Sequence, residues 1–130
     1  MNKEFIPYEQ ALELKELGFD EECLGYYHTT LSSSDVDLVL GKTHNRFYHL
    51  VGIPEDFNTL APLYQQAFRW FREKYGIVGI VKFGTQEFTY NIYNNDAIGL
   101  LTKDSLDFNG TYEEAEIACL KKLIELVKNK

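Results

Sequence analysis

A chain of 130 residues with 45% hydrophobic and 25% charged side chains has the size and composition of one globular domain, which we expect to span residues 1–130. Its 20 acidic and 13 basic side chains give a formal net charge of −7, which repels phosphate backbones and disfavours a nucleic-acid partner. Apolar runs such as residues 77–81 are far shorter than the roughly 20 residues of a membrane-spanning helix. The N-terminus has Lys3, Glu4 and Pro7 where a secretory signal has a continuous apolar core. We therefore expect a cytoplasmic protein with no membrane segment.

The first half of the chain predicts a short helix followed by strands. Pro7 suits the first turn of a helix, and Gly18 supplies the left-handed residue that ends it after Leu17. Aromatic and β-branched residues that fit a pleated surface come next, interrupted by serine-rich and glycine-containing links. The expected strands are residues 23–29, 36–40 and 46–51, with a turn at residues 31–35.

The second half predicts two more helices around a β-hairpin. Asn58 or Thr59 is expected to cap a helix that runs to about Tyr75 and ends at Gly76. The last helix, which we expect to end near residue 127, starts with Thr111-Tyr112-Glu113-Glu114, and this sequence matches a capping box. The hairpin consists of residues 77–83, a turn at 84–86 and an alternating strand at 87–93. The order α-β-β-α-β-β-α predicts an α+β fold, with three helices on an antiparallel sheet of about four or five strands.

The chain contains none of the common catalytic or cofactor-binding motifs. It has no glycine-rich nucleotide loop, no Walker motif, no helical pair of metal-binding histidines and no nucleophile elbow. His28, His44 and His49 fall in one strand region, but their spacing matches no standard zinc pattern, so we expect no metal or other cofactor. Cys119 lies on the apolar face of the last helix, where burial should raise the thiol pKa and oppose a nucleophilic role. We therefore assign no catalytic residue.

Glu116 is an acidic residue inside the apolar arc of the last helix. It is either a residue at the rim of the core or a carboxylate with a buried partner. The second reading leads to one functional hypothesis, a small-molecule-binding protein or enzyme with a pocket between sheet and helices. The candidate polar residues of that pocket are Glu116, His28 and His49.

The aromatic content of the chain leads to the favoured hypothesis. Nine Tyr, nine Phe and one Trp make up 15% of the residues, and tyrosine suits binding surfaces because its ring is apolar and its tip polar. We expect a non-enzymatic protein that binds a protein partner, or itself, through an aromatic surface. The candidate contact residues are Tyr26, Tyr27, Tyr48, Trp70 and Tyr93. The alternative is that all five rings complete the core.

The three predicted helical regions contain residues 6–12 with 17–20, residues 61–75, and residues 111–116 with 118–124. These segments resemble a family of small uncharacterised proteins encoded by bacteriophages and prophages of Bacteroides-type gut bacteria. The resemblance implies a phage-borne accessory protein that acts in the cytoplasm of a bacterial host cell. It brings no catalytic residue or ligand with it.

Overall fold

The computed structural model describes residues 2–30, 33–43, 58–84, 86–94, 99–100 and 110–129. The contacts within the chain divide it into two compact units, Met1–Leu63 and Tyr64–Lys130. The described elements of the first unit are a short 3-10 helix (Asn2–Glu4), α1 (Tyr8–Glu16), β1 (Cys23–Thr30), β2 (Ser33–Thr43) and β3 (Asn58–Leu60). Those of the second unit are α2 (Tyr64–Tyr75), β4 (Ile77–Phe83), β5 (Phe88–Asn94), β6 (Gly99–Leu100) and α3 (Tyr112–Lys128).

These elements confirm the predicted α+β fold, with three α-helices among the described residues and antiparallel strands in the order α-β-β-α-β-β-α. The short strands β3 and β6 are additions to that order. The described strands are divided between two sheets, with the strand orders β2-β1-β3 and β4-β5-β6. In both sheets the longest pairing joins strands that are neighbours in sequence, because a short connection closes at little entropic cost. The single domain over residues 1–130 stays a prediction.

Helix α1 begins and ends where the sequence indicates. Pro7 precedes it with φ −63°, and the amide of Ala11 donates to the Pro7 carbonyl at 2.9 Å. Gly18 follows the helix with φ 95°, a conformation that a residue with a Cβ adopts only with strain. The amide of Phe19 then donates back to the Leu14 carbonyl at 2.9 Å, which satisfies one of the last free carbonyls of the helix.

The N-terminal segment is fastened to the sheet of the first unit. Phe5 forms an isolated antiparallel bridge with Leu63, and the amide of Ile6 donates to the Pro62 carbonyl at 3.0 Å. The Tyr27 hydroxyl on β1 donates to the Ile6 carbonyl at 2.6 Å. Phe5 and Ile6 are both buried. This short segment is therefore part of the core of the first unit.

Two sequence predictions about element boundaries are wrong. Residues 33–35 were expected in a turn but belong to β2, which begins at Ser33. Asn58 and Thr59 were expected to cap a helix but lie in β3, which pairs with β1. Pro62 explains the second difference, because its ring disfavours helical backbone at the preceding residue. The predicted strand at 46–51 lies outside the described residues.

The second unit packs its helices on a hairpin. Gly79 pairs with Ile92 and Val81 pairs with Tyr90, so the side chains of Ile92 and Tyr90 face α3 and are buried. A Cβ on Gly79 would lie 2.7 Å from the Cys119 Sγ, so α3 approaches this strand more closely than another residue would allow. The side chains that are fully buried in this unit include Phe71, Ile77, Ile92, Leu120, Leu123 and Ile124.

The capping box of α3 is confirmed. The Thr111 hydroxyl accepts from the Glu114 amide at 3.2 Å, and the Glu114 carboxylate accepts from the Thr111 amide at 3.1 Å. Helix α3 extends to Lys128, one residue past the predicted end. No helix in the described part of the chain is both long enough and apolar enough to cross a membrane.

Candidate functional site

Two phenylalanines meet at the closed end of the β4–β5 hairpin. Phe83 is the last residue of β4 and lies opposite Phe88, the first residue of β5. The turn is tightened by the amide of Gly84, which donates to the Glu87 carbonyl at 2.6 Å. The two rings are 5.1 Å apart between centroids at an interplanar angle of 64°. This edge-to-face geometry is the favoured one for an aromatic pair.

A third ring reaches the pair because the start of α3 is fastened to β5. Gly110 forms an antiparallel bridge with Phe88, with N–H to carbonyl distances of 2.9 and 3.2 Å in the two directions. Thr111 caps the helix directly after this bridge, so Tyr112 is its first helical residue. The Tyr112 ring consequently meets the Phe88 ring at 5.4 Å and 88°.

We call Phe83, Phe88 and Tyr112 the aromatic cluster. Phe83 is 63% exposed and Tyr112 is 45% exposed, while Phe88 between them is half-buried. Exposed apolar side chains that occur singly are ordinary, but three rings in continuous contact form a patch. Rings of this kind dominate the energetics of protein interfaces. Among the described residues of the second unit, the aromatic cluster is therefore the strongest candidate contact surface.

A cleft of about 570 Å³ lies beside the aromatic cluster. The described residues that line it are Gln86, Glu87, Phe88, Gly110, Thr111, Tyr112, Glu113 and Glu114. Three of these residues have a carboxylate and none of them has a positive charge. The Glu114 carboxylate is engaged in the capping box. Glu87 and Glu113 are the other two acidic residues of the cleft, and both are exposed.

The tyrosines and histidine chosen on β1 serve the first unit in different ways. Tyr26 and Tyr27 are half-buried, and the Tyr27 ring meets the Tyr8 ring edge-on at 5.5 Å. Burial raises the pKa of the Tyr27 hydroxyl, which is a donor to the N-terminal segment. His28 Nδ1 lies 3.0 Å from the Asn58 Oδ1. An amide oxygen only accepts, so this contact is a hydrogen bond in the tautomer whose Nδ1 carries the hydrogen.

The aromatic residues chosen in the second unit are mostly covered. Trp70 is only 6% exposed and meets the rings of Phe71 and Tyr75 edge-on, at 5.1 and 5.4 Å. The Lys74 ammonium lies 5.0 Å from the centroid of the Trp70 ring, which is a cation–π contact. Tyr93 is half-buried, and its hydroxyl accepts a hydrogen bond from the side-chain Nδ2 of Asn91 at 3.1 Å. Trp70 therefore fits the core alternative, and the contact roles of Tyr26, Tyr27 and Tyr93 stay predictions.

Two ionisable residues of α3, Cys119 and Glu116, are buried. Cys119 is fully buried, and its thiol pKa is raised to about 12 by burial and, secondarily, by the negative charge of Glu116. The burial of Cys119 and the raised pKa agree with the expectation for the apolar face of this helix, and a thiol with a raised pKa stays protonated near neutral pH. Glu116 is 9% exposed on the same helix. Among the described residues, no three His, Cys, Asp or Glu side chains come together to hold a metal ion.

The polar pocket expected from the sequence stays a prediction. Glu116 belongs to the second unit and His28 to the first, while His49 lies outside the described residues, as does Tyr48. The aromatic cluster, by contrast, was not selected from the sequence. The hairpin turn at 84–86 was the available signal, because it implies that the residues flanking it lie opposite each other.

Comparisons with protein-family models, with curated proteins and with solved structures find no match for this chain. The geometry of its own residues is therefore the basis for proposing a function.

Proposed function

We propose that this protein acts by binding a protein partner, without catalysing a reaction, through an aromatic surface centred on Phe83, Phe88 and Tyr112. The observation that carries the proposal is the pair of ring contacts at 5.1 and 5.4 Å, which joins Phe88 to two exposed rings. The rings are already held in place by the hairpin and by the start of α3. A pre-organised surface of this kind loses little conformational entropy when a partner binds.

The resemblance of the helical segments to phage and prophage proteins supplies the setting of the proposal. In that setting the chain is an accessory protein that meets its partner in the cytoplasm of a bacterial host cell. The partner is a host protein, a phage protein or a second copy of the chain. Tyr26, Tyr27 and Tyr93 are half-buried and remain secondary contact candidates.

A small-molecule ligand is the second candidate function, and the cleft beside the aromatic cluster is the observation that favours it. Its volume of about 570 Å³ falls within the range of small-molecule sites, and rings line part of it. Its carboxylates belong to exposed residues at a surface, whereas a ligand pocket usually encloses its polar groups. Partner binding therefore has the stronger support.

The proposal is tested by quantitative affinity capture from phage-infected host cells with three forms of the full chain. The forms are wild type, the double variant Phe83→Ala/Tyr112→Ala, and Ile80→Ala as a control. Ile80 is 44% exposed on the opposite face of β4, so it removes a similar apolar side chain away from the aromatic cluster. Thermal unfolding followed by circular dichroism checks that each form is folded.

We expect the double variant to capture at least about tenfold less of a partner than wild type does. Two interface rings together contribute more than about 1.4 kcal/mol to the free energy of binding. The Ile80→Ala form should capture the same amount as wild type. Equal capture by all three folded forms would contradict an interaction through the aromatic cluster.

A further inference from the structure

The charge around the aromatic cluster restricts the kind of partner that fits it. The adjoining cleft is lined by Glu87, Glu113 and Glu114, and none of its described lining residues is basic. The N-terminus of α3 opposes this charge, but a helix terminus contributes only roughly +0.5 elementary charge against three carboxylates. The balance at the cleft is negative even after Glu114 is engaged in its capping box. The net charge of −7 adds a field of the same sign.

The exposed rings, like the carboxylates, favour a positively charged ligand. The face of an aromatic ring is electron-rich, so it attracts a cation placed over it. Phe83 and Tyr112 are the two exposed rings of the aromatic cluster, and both meet Phe88 edge-on or nearly so. Rings and carboxylates at this place therefore complement one group, an organic cation attached to an apolar stem.

The geometry suits arginine better than a metal ion or lysine. The three carboxylates do not converge closely enough to form a metal-binding group of described residues. A guanidinium is planar, stacks on aromatic faces and forms paired hydrogen bonds with a carboxylate, whereas an ammonium is a compact and strongly hydrated charge. Arginine is also enriched among the residues that dominate protein interfaces.

Building on the proposed function, we infer that the partner presents an arginine side chain whose guanidinium lies against Phe83 or Tyr112 and bonds to Glu87 and Glu113. The apolar neighbours of that arginine in the partner cover the rest of the aromatic cluster. Complementary charge at a rim of this kind contributes mainly to the rate of association and to the choice of partner.

The test uses the isotopically labelled full chain and two acetylated tetrapeptide amides. One peptide is leucine-arginine-leucine-arginine, and the other has the uncharged isostere citrulline in place of both arginines. Binding is followed by amide chemical shifts. We expect the arginine peptide to shift the signals of residues 83, 86–88 and 110–114, and the citrulline peptide to bind at least about tenfold more weakly, as for loss of a charge-assisted hydrogen bond.

Two variants with the same net charge separate a local effect from a general one. Glu87→Gln/Glu113→Gln and Glu4→Gln/Glu73→Gln both change the net charge from −7 to −5, since each removes two negative charges. The first should weaken the binding of the arginine peptide about tenfold, and the second, whose residues are not among those that line the cleft, by much less. Equal weakening in both variants would overturn the inference.

The outcomes distinguish this inference from the function on which it rests. Equal binding of the citrulline and arginine peptides would overturn the inference that the partner presents an arginine, and so would unchanged amide chemical shifts of the cleft residues. Neither result would contradict partner capture by the rings. If Phe83→Leu/Tyr112→Leu, which keeps apolar bulk, binds the arginine peptide as well as wild type does, the rings have no role and the inference also fails. The proposed function is tested separately by the affinity capture, and it fails if the variant without the two rings captures as much partner as wild type does.

Discussion

Gly79 on β4 lies against Cys119 and Leu123 of α3. A Cβ at position 79 would lie 2.7 Å from the Cys119 Sγ and 3.1 Å from the Leu123 Cδ1. Both neighbours are fully buried, so neither has open space into which it can turn. The absence of a side chain at this position therefore sets how closely α3 lies on β4.

We expect Gly79→Ala to lower the free energy of unfolding by about 1–3 kcal/mol, because a methyl group is forced into a filled core. Cys119→Ala removes the nearest obstructing atom, so the double variant Gly79→Ala/Cys119→Ala should recover part of that loss. Urea unfolding of the four forms gives the interaction energy between the two sites. Strictly additive effects would show that the two residues are not in steric contact.

The start of α3 is an element held in two ways, by the capping box of Thr111 and by the bridge between Gly110 and Phe88. Both devices satisfy amides that a helix or a strand end would otherwise leave free. They also position Tyr112 beside Phe88, so the stability of this element and the geometry of the aromatic cluster depend on the same few residues.

Thr111→Ala should lower the free energy of unfolding by about 1 kcal/mol, since the hydroxyl that accepts from the Glu114 amide is lost. Thr111→Ser is the matched control and should stay within a few tenths of a kcal/mol of wild type, because serine caps equally well. Chemical unfolding measures both changes. If the serine and alanine forms were equally stable, the capping hydrogen bond would have no net value here.

Elements set by neighbouring residues could be predicted from the sequence. The Pro7 start and Gly18 end of α1, the capping box at Thr111 and the hairpin at 84–86 each follow from a local pattern. Asn58 and Thr59 also match a local pattern, a helix cap, but the structure places them opposite His28 and Tyr27. That pairing joins residues about thirty positions apart, and no local propensity encodes it.

The candidate site was harder to predict than the fold. Phenylalanine is usually buried, so the sequence alone gives no reason to select Phe83 and Phe88 as a contact surface. Their exposure depends on where α3 begins to cover the hairpin, and the bridge from Gly110 fixes that point. Trp70 is the opposite case, a residue expected at a contact surface that the structure buries. Its position at the flank of the apolar arc of its helix suggested exposure, but the ring is almost completely buried.

The whole molecule carries a formal net charge of −7, and this charge bears on its stability as well as on its partner. Folding brings like charges closer together, so their repulsion is stronger in the folded than in the unfolded chain. Salt screens that repulsion, because the Debye length falls from about 30 Å at 0.01 M to about 8 Å at 0.15 M.

Raising sodium chloride from about 0.01 M to about 0.15 M should therefore increase the free energy of unfolding. Two exposed positions allow the charge to be varied: Glu73→Lys gives −7 + 2 = −5, and Lys121→Glu gives −7 − 2 = −9. The salt-dependent gain, measured by urea unfolding, should be smallest at −5 and largest at −9. The same gain in all three forms would contradict repulsion as its source.

The burial of Trp70 has a practical value, since it is the one tryptophan of the sequence and lies in the second unit beside Phe71 and Tyr75. Its emission is an optical reporter of that unit, whereas far-ultraviolet dichroism averages over the backbone of both. Denaturation profiles recorded with the two signals will superimpose when the chain melts cooperatively and will separate when its halves melt in turn. A single cuvette experiment thereby decides between one folding unit and two.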